Sequence, residues 1–358
     1  MYKSILFPAL LFAGAISFAA SAADDNNGQS NLGVIPADAV ITQKDKPVKL
    51  EQDEKGIFTL ILENDIVSGT DSNYTNGFRA SWLSPEANQP RAITWVADHL
   101  LPGAEDAKAN NRVSAAIGQS IFTPHNLKER DIIKNDRPYA GYTYGSIGLV
   151  SDTGETLDNA MLTVGIVGPA SGAEQTQKFI HSVIGDDIPQ GWDHQLKNEA
   201  GVELTYERKW RNLYELSPFG AGFDVTPHVG VNLGNVYTNA STGATFRLGY
   251  DLPADYGPPR IRPSLPGSDF FIPSKSLGGY LFTAVEGRAV GRNIFLDGNT
   301  FSNSHSVDKD IFVGDLQAGV AVTYGDTRVA YTEVFQTKEF KQQKKPEQFG
   351  VLSLSVRF

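Results

Sequence analysis

From Ile57 to the last residue, apolar and polar side chains alternate with a period of two over long stretches of the chain. This period is typical of strands whose two faces meet different surroundings. Each stretch is long enough to cross a hydrocarbon layer at a tilt, which takes about 9–11 residues. The pattern predicts twelve strands, at residues 57–65, 74–83, 112–122, 140–151, 157–167, 199–210, 219–235, 241–250, 279–297, 308–324, 327–338 and 347–358.

The last predicted strand shows the alternation most clearly, because every second residue is apolar: Leu352, Leu354, Val356 and Phe358. The residues between them are small or polar, which suits a lumen, whereas apolar residues suit lipid. The even strand number and the terminal aromatic residue favour a closed sheet. The pattern therefore predicts an all-β fold, a twelve-stranded antiparallel transmembrane β-barrel. A soluble β-sandwich is the alternative.

The first 22 residues are organised like an export signal. Lys3 precedes an apolar stretch at residues 5–19, and Ala20-Ser21-Ala22 offers a small-x-small cleavage site. A membrane helix is the competing interpretation. We expect residues 1–22 to be a signal peptide, residues 23–56 a flexible periplasmic lead-in, and residues 57–358 an outer-membrane barrel.

Composition excludes several classes of function. The chain has no cysteine, which rules out disulfides, zinc-thiolate sites and thiol nucleophiles. Its net charge is −10 without a basic run of useful length, so nucleic acid is not an expected partner. The slightly negative mean hydropathy of −0.25 suits a secreted soluble protein or a barrel equally well.

The connections between the strands can be assigned to the two sides of a membrane if the chain starts on the periplasmic side. Residues 84–111 and the Pro-rich residues 251–278 are then long inner connections, and residues 168–198 form an outer loop. The middle of this loop, residues 173–185, has helical apolar spacing. We therefore expect a short helix in an extracellular loop.

Unusual polar motifs gather at the predicted outward rim of strands one to six. Catalytic groups commonly come from several elements held by a rigid scaffold. The motifs are Glu63-Asn64-Asp65, Asn73-Tyr74-Thr75-Asn76-Gly77, Gln119-Ser120-Ile121-Phe122-Thr123-Pro124, Asp136-Arg137-Pro138-Tyr139-Ala140-Gly141, and His181 on the loop helix.

Together with three further motifs, these segments resemble the lipid A 3′-O-deacylases of the Gram-negative outer membrane. The further motifs are Val167-Gly168-Pro169, His181-Ser182-Val183-Ile184-Gly185 and Gly191-Trp192-Asp193-His194-Gln195. The likeness runs in order from about residue 57 to 210, and more loosely to the C-terminus. It implies a calcium-dependent ester hydrolase that removes the 3′-linked acyloxyacyl group of lipid A from the outer leaflet.

The resemblance also implies which residues carry the chemistry. Asn64 and Asp65 match the family's Asn-Asp pair, Thr75 matches its active-site threonine, and His181 matches its catalytic histidine. Lys128 is the nearest candidate for the family's lysine, although its spacing from Pro124 departs slightly from the family pattern.

The residue types suit this chemistry. Histidine is the side chain whose ordinary pKa suits a base near neutral pH, so His181 is expected to deprotonate the attacking water. Asp65, Asn64 and Thr75 offer oxygen ligands, which a hard cation such as calcium or magnesium prefers. We expect the protein to be a monomer in the outer membrane, with lipid A or lipopolysaccharide as its partner.

Two other classes of barrel remain open at this point. An outer-membrane phospholipase would use a serine nucleophile, although no Gly-x-Ser-x-Gly elbow occurs in the sequence. A porin or adhesion barrel would have no catalytic activity. The polar motifs occupy only half of the predicted rim, which disfavours a pore lined evenly around its lumen.

Overall fold

The computed structural model describes residues 40–43, 53–64, 73–86, 91–102, 104, 109–185, 187–217, 221–261, 269–273 and 276–358. The predicted signal peptide and the predicted site residue Asp65 lie outside these ranges. Residues 40–43 of the predicted lead-in form a strand. No helix in the described part of the chain is long and apolar enough to span a membrane.

The described chain is mostly strand. In chain order the strands are β1 (Val40–Gln43), β2 (Ile57–Asn64), β3 (Asn73–Leu83), β4 (Asn110–Thr123), β5 (Ala140–Asp152), β6 (Thr156–Val167), β7 (Glu199–Trp210), β8 (Asn212–Ser217), β9 (Ala221–Gly234), β10 (Tyr237–Tyr250), β11 (Ala254–Asp255), β12 (Phe271–Ile272), β13 (Leu277–Asn293), β14 (Phe312–Tyr324), β15 (Thr327–Gln336) and β16 (Glu347–Arg357). The helices are α1 (Arg91–Leu100), α2 (Ala173–Ile184) and α3 (Ile294–Asp297).

Twelve of these strands close into an antiparallel barrel. Their order around the wall is β2-β3-β4-β5-β6-β7-β9-β10-β13-β14-β15-β16, and β16 pairs with β2 to complete the ring. β8 pairs with the start of β9 and with β1, so it extends the wall beyond β7. The predicted fold and each of the twelve predicted strands are confirmed, with small differences at the strand ends.

The alternation in sequence corresponds to the two faces of the wall. In β16, Leu352 and Leu354 are exposed on the outside, whereas Ser353 and Ser355 are buried inside. The same division holds in β14, where Leu316 and Val320 are exposed and Gln317 is buried. An apolar exterior around a polar interior is the arrangement of a transmembrane barrel.

The barrel has two distinct ends. At the terminal end, Gly56 and Phe358 exchange backbone hydrogen bonds of 3.0 Å. The opposite end, called here the loop end, carries residues 124–139, 168–198, 294–311 and 337–346.

The lumen contains part of the Pro-rich segment, residues 251–278, that the sequence predicted as a long inner connection. Asp269 forms an ion pair of 2.9 Å with Arg79 of the inner wall, and Arg260 forms one of 3.0 Å with Asp315. The backbone nitrogen of Ile261 also donates to Glu63, at 2.6 Å. The described part of the segment therefore enters the barrel, where its charged residues find buried partners, a placement that the sequence pattern did not predict.

The lumen is also filled near the loop end. Phe295 of α3 stacks on Phe122 with a distance of 4.1 Å between the ring centroids. Tyr142 and Tyr237 pack against the Phe295 ring. The barrel interior is consequently a packed core at this level.

Candidate functional site

Helix α2 lies against the outside of the barrel wall near the loop end. Gly141 and Thr143 belong to the same face of β5 as Ile147, which is exposed on the exterior. A Cβ atom on Gly141 would overlap the Cβ of Ala173 and the Oγ of Ser171. Only glycine at this position allows such a close approach of the helix to the wall.

Hydrogen bonds from the outer face of two strands hold the segment that leads into α2. The side chain of Gln119 donates to Ser171 O at 2.8 Å, and the Thr143 hydroxyl donates to the same oxygen at 2.7 Å. Gly172 and Gly185 bound the helix in left-handed conformations, with φ values of 70° and 75°. The start of the helix is therefore fixed to β4 and β5.

The motif around Trp192 holds the helix from the other side. The indole nitrogen of Trp192 donates to the Gln177 side chain at 2.8 Å, and the Trp192 ring packs on Tyr139. Leu127 and Ile121 belong to the same buried cluster. These contacts give a physical role to motifs that the sequence showed only as a resemblance.

α2 turns polar side chains toward the wall and apolar ones away from it. Gln177 and His181, one helical turn apart, are buried on the wall side. Phe179 and Val183 are each 68% exposed on the outer surface, and Ile184 is exposed beside them. Exposure of such an apolar face to water is unfavourable, whereas its contact with a lipid surface is favourable.

His181 is buried to 2% exposure and has a defined orientation. Its Nδ1 atom lies 2.7 Å from the backbone oxygen of Asp187. Because a carbonyl oxygen can only accept, Nδ1 carries the proton and Nε2 carries the lone pair in the neutral ring. This tautomer presents Nε2 as a proton acceptor.

Lys128 lies close to Asp187, the residue whose backbone oxygen is paired with His181. Its Nζ atom is 2.7 Å from the Asp187 carboxylate, and both side chains are largely exposed. The backbone of the two loops is joined by a hydrogen bond of 2.8 Å from Gln190 N to Leu127 O. The structure therefore brings together two of the predicted site residues, His181 and Lys128, through Asp187.

Asn64 and Thr75 lie on the two strands that precede this part of the wall. Asn64 pairs in register with Asn76, and Asn76 pairs with Ile121 beneath α2. The register shifts between Tyr74 and Asn76, which leaves Thr75 as the extra residue of a bulge. Neighbouring strands are about 4.8 Å apart, so the paired residues Asn64, Asn76 and Ile121 form a row across the wall that ends beneath the helix.

The donor chemistry of this row suits a hard cation. Asn64 provides an amide oxygen, Thr75 is a hydroxyl residue, and a bulge releases backbone groups from the regular ladder. Among the described residues there is no cluster of three acidic, histidine or cysteine side chains that could hold a metal. The predicted acidic ligand, Asp65, falls outside those residues.

The structure brings the predicted motifs together at one end of the barrel, the loop end. The motifs lead to the outer wall beneath α2, not to a rim around the lumen opening. The predictions also gave no role to Gln119, Thr143 or Gln177. The alternation of β4 and β5 could have identified the first two, because it places them on the same face as Ile117 and Ile147.

Comparisons with known proteins agree with this architecture. The sequence model of a family described as outer membrane protein LpxR matches residues 10–358. The solved structure of LpxR from Salmonella typhimurium is similar, with a TM-score of 0.67 and 18% identity over 84% of this chain and 100% of that chain.

Other solved structures are less similar to this chain. The β domain of the Bordetella autotransporter BrkA has a TM-score of 0.41 and 9% identity over 86% of this chain and 100% of its own, which supports no argument. No curated protein sequence matches this chain. At 18% identity, the Salmonella structure shows the shared fold alone.

Proposed function

Because the chain belongs to the LpxR family of outer-membrane proteins, we propose that it is a hydrolase that removes the 3′-linked acyloxyacyl chain of lipid A. The observation that carries this proposal is the position of His181 between the outer wall and a helix with an apolar outer surface. A lipid ester in the surrounding leaflet would approach this position from the side of the barrel, between α2 and the wall, without entering the lumen.

The exposed face of α2 supports a location at the surface of the outer leaflet. Phe179, Val183 and Ile184 continue the apolar exterior formed by Ile117 and Ile147. A helix with such a face lies in the interface between headgroups and acyl chains. In this orientation the loop end is extracellular, and the imidazole lies near the depth at which lipid A carries its ester bonds.

His181 acts as the general base. Its Nε2 takes a proton from a water molecule while the water oxygen bonds to the carbonyl carbon of the ester. The carbon–oxygen bond to the sugar then breaks, and the imidazolium returns the proton to the leaving sugar oxygen. A positioned base and acid of this kind contributes about 10²- to 10⁴-fold to a rate.

Asn64, Asp65 and Thr75 are the residues that would hold a divalent cation, which the family resemblance implies is calcium. When bound, the ion supplies Lewis-acid polarisation of the ester carbonyl. Lys128 is an exposed cation that pairs with Asp187, the residue whose backbone oxygen orients the imidazole, and it would stabilise a negatively charged group of the substrate or the developing oxyanion.

Mass spectrometry of lipid A tests the proposal in cells. A host that expresses the wild-type chain should lose one acyloxyacyl unit from lipid A, and a host that expresses His181→Ala should not. His125→Ala is a matched control, because His125 is an exposed histidine at the same end of the barrel. Unchanged lipid A in cells that contain folded wild-type barrel would overturn the proposal.

A serine-directed covalent inhibitor distinguishes the proposed hydrolase from an outer-membrane phospholipase with a serine nucleophile. The Ser182 hydroxyl, next to His181 in sequence, donates to Phe179 O at 2.7 Å. We therefore expect no labelling and no loss of activity with such an inhibitor. Stoichiometric labelling of a serine with loss of activity would favour the phospholipase.

A further inference from the structure

A recess lies on the outer wall, well away from α2. It is formed where β10, β13 and β14 approach the loop end, and it has a volume of about 1000 Å³. Its floor consists of small outward-facing residues, Thr242, Gly287 and Gly314, with Ala289 beside them and Phe312 at one side. We call it the wall groove.

The groove exists because glycine lies opposite glycine. Gly287 pairs in register with Gly314 and with Thr242. A Cβ atom added to Gly287 would meet no atom within 4 Å. Below this level the same strands expose Val285 and Leu316, so the groove is continuous with the apolar exterior. An acyl chain is the ligand that fits such a depression.

A basic loop lies beside the groove. Residues 337–346 contain four lysines and one glutamate, whereas the chain as a whole carries a net charge of −10. Lys338 and Pro346 of this loop line the groove. Lys341 pairs with Asp310. No ion pair joins Lys338, Lys344 or Lys345 to another residue in the described part of the chain, and all three are exposed.

We propose that the wall groove and the basic loop bind a phosphorylated, multiply acylated glycolipid of the outer leaflet. One acyl chain fills the groove, and the lysines bind a phosphate of the headgroup. The combination of an apolar slot with clustered cations favours this occupant over a zwitterionic glycerophospholipid. The inference rests on the proposed function only in placing the loop end on the outer side of the membrane.

The bound lipid is distinct from the molecule that His181 would cleave. In the ring of twelve strands, β13 is six positions from β4, against which α2 packs. The two sites therefore face opposite sides of the barrel. The groove holds a lipid of the substrate's chemical class in a position where it cannot be hydrolysed.

Native mass spectrometry of the purified full-length chain tests this inference. The probes are lipid A with both phosphates, dephosphorylated lipid A, and phosphatidylethanolamine, all added to the His181→Ala protein so that nothing is cleaved. Gly287→Leu should fill the groove and lower the number of bound phosphorylated lipid A molecules by one. Gly145→Leu, at an exposed outward glycine of β5, is the control for added bulk.

The charge requirement has its own pair of variants. Lys338→Gln/Lys344→Gln should weaken this binding by about tenfold or more, whereas Lys134→Gln/Lys197→Gln should not. In an otherwise wild-type chain, Gly287→Leu should leave deacylation unchanged. Failure of the proposed function would appear as a wild-type chain that binds the lipid but cleaves none.

Two results would overturn the inference: an unchanged number of bound lipids in the Gly287→Leu protein, or binding of phosphatidylethanolamine or dephosphorylated lipid A at the groove as strong as that of phosphorylated lipid A.

Discussion

The backbone oxygen of Asp187 accepts a hydrogen bond from His181 Nδ1 at 2.7 Å, while the carboxylate of the same residue pairs with Lys128 at 2.7 Å. One residue thus links both side chains that the sequence singled out on the two loops. The backbone contact sets the tautomer of the imidazole, and the carboxylate contact keeps the lysine nearby. A carbonyl partner on the non-reacting ring nitrogen commonly fixes a functional histidine in this way.

The two halves of this link can be separated by mutation. Lys128→Ala should lower kcat/KM by about tenfold or more, because a cation near the reacting ester is lost. Asp187→Asn breaks the ion pair but keeps Lys128 and the backbone oxygen, so it should retain most activity. Neither variant should unfold the barrel, since an exposed ion pair contributes only about 0–1 kcal/mol. Equal losses of activity in the two variants would contradict a direct role for the lysine.

The close packing of α2 against the wall should depend on Gly141. Gly141→Val places a side chain where Ala173 and Ser171 pack, and overpacking costs about 1–3 kcal/mol. We expect the helix to shift and activity to fall at least about tenfold, while heat-modifiable migration on gels shows an intact barrel. Gly145→Val, four residues further along the same face, should be silent because its Cβ has only one neighbour near 4 Å. A fully active Gly141→Val protein would contradict the packing.

The apolar face of α2 should matter only when the substrate is in a bilayer. Phe179→Asp introduces a charge into the proposed lipid contact, which should lower activity in vesicles by about tenfold, equivalent to about 1.4 kcal/mol. In detergent-dispersed substrate the same variant should approach wild-type rates. Gln175→Asp, at an exposed polar position of the helix, serves as the control. An equal effect in both media would place this face outside the membrane interface.

The filled lumen predicts an electrically silent barrel. Arg79–Asp269 and Arg260–Asp315 anchor the luminal segment, and loss of one member of a buried pair costs about 3–5 kcal/mol. We therefore expect no steady conductance from the wild-type protein in planar bilayers, and transient openings from Arg260→Ala. A stable ohmic conductance in the wild type would favour the porin alternative.

Periodicity was sufficient to predict the wall because it reports the surroundings of each face. Leu352 and Leu354 meet the exterior and Ser353 and Ser355 the interior, and no tertiary information is needed to see that division. The same holds for α2, whose apolar spacing predicted a helix at residues 173–185. Its orientation could not be predicted, since apolar spacing does not reveal whether the apolar face meets a core or lipid.

Long-range contacts set the limit of prediction. Arg260 and Asp269 occur in a Pro-rich stretch without periodicity, and only the folded barrel brings them to Asp315 and Arg79. The four lysines between 338 and 345 are spread too thinly to look like a basic run, and their significance depends on a groove that lies in other strands. In both cases the partner is far away in sequence.

The most direct test of the central claim is the rate of ester hydrolysis by purified protein in vesicles that contain lipid A. His181→Ala should lower kcat by about 10²- to 10⁴-fold, with the barrel folded and with His125→Ala at the wild-type rate. A His181→Ala protein that releases the acyloxyacyl acid at the wild-type rate would contradict the assignment of the imidazole as the base.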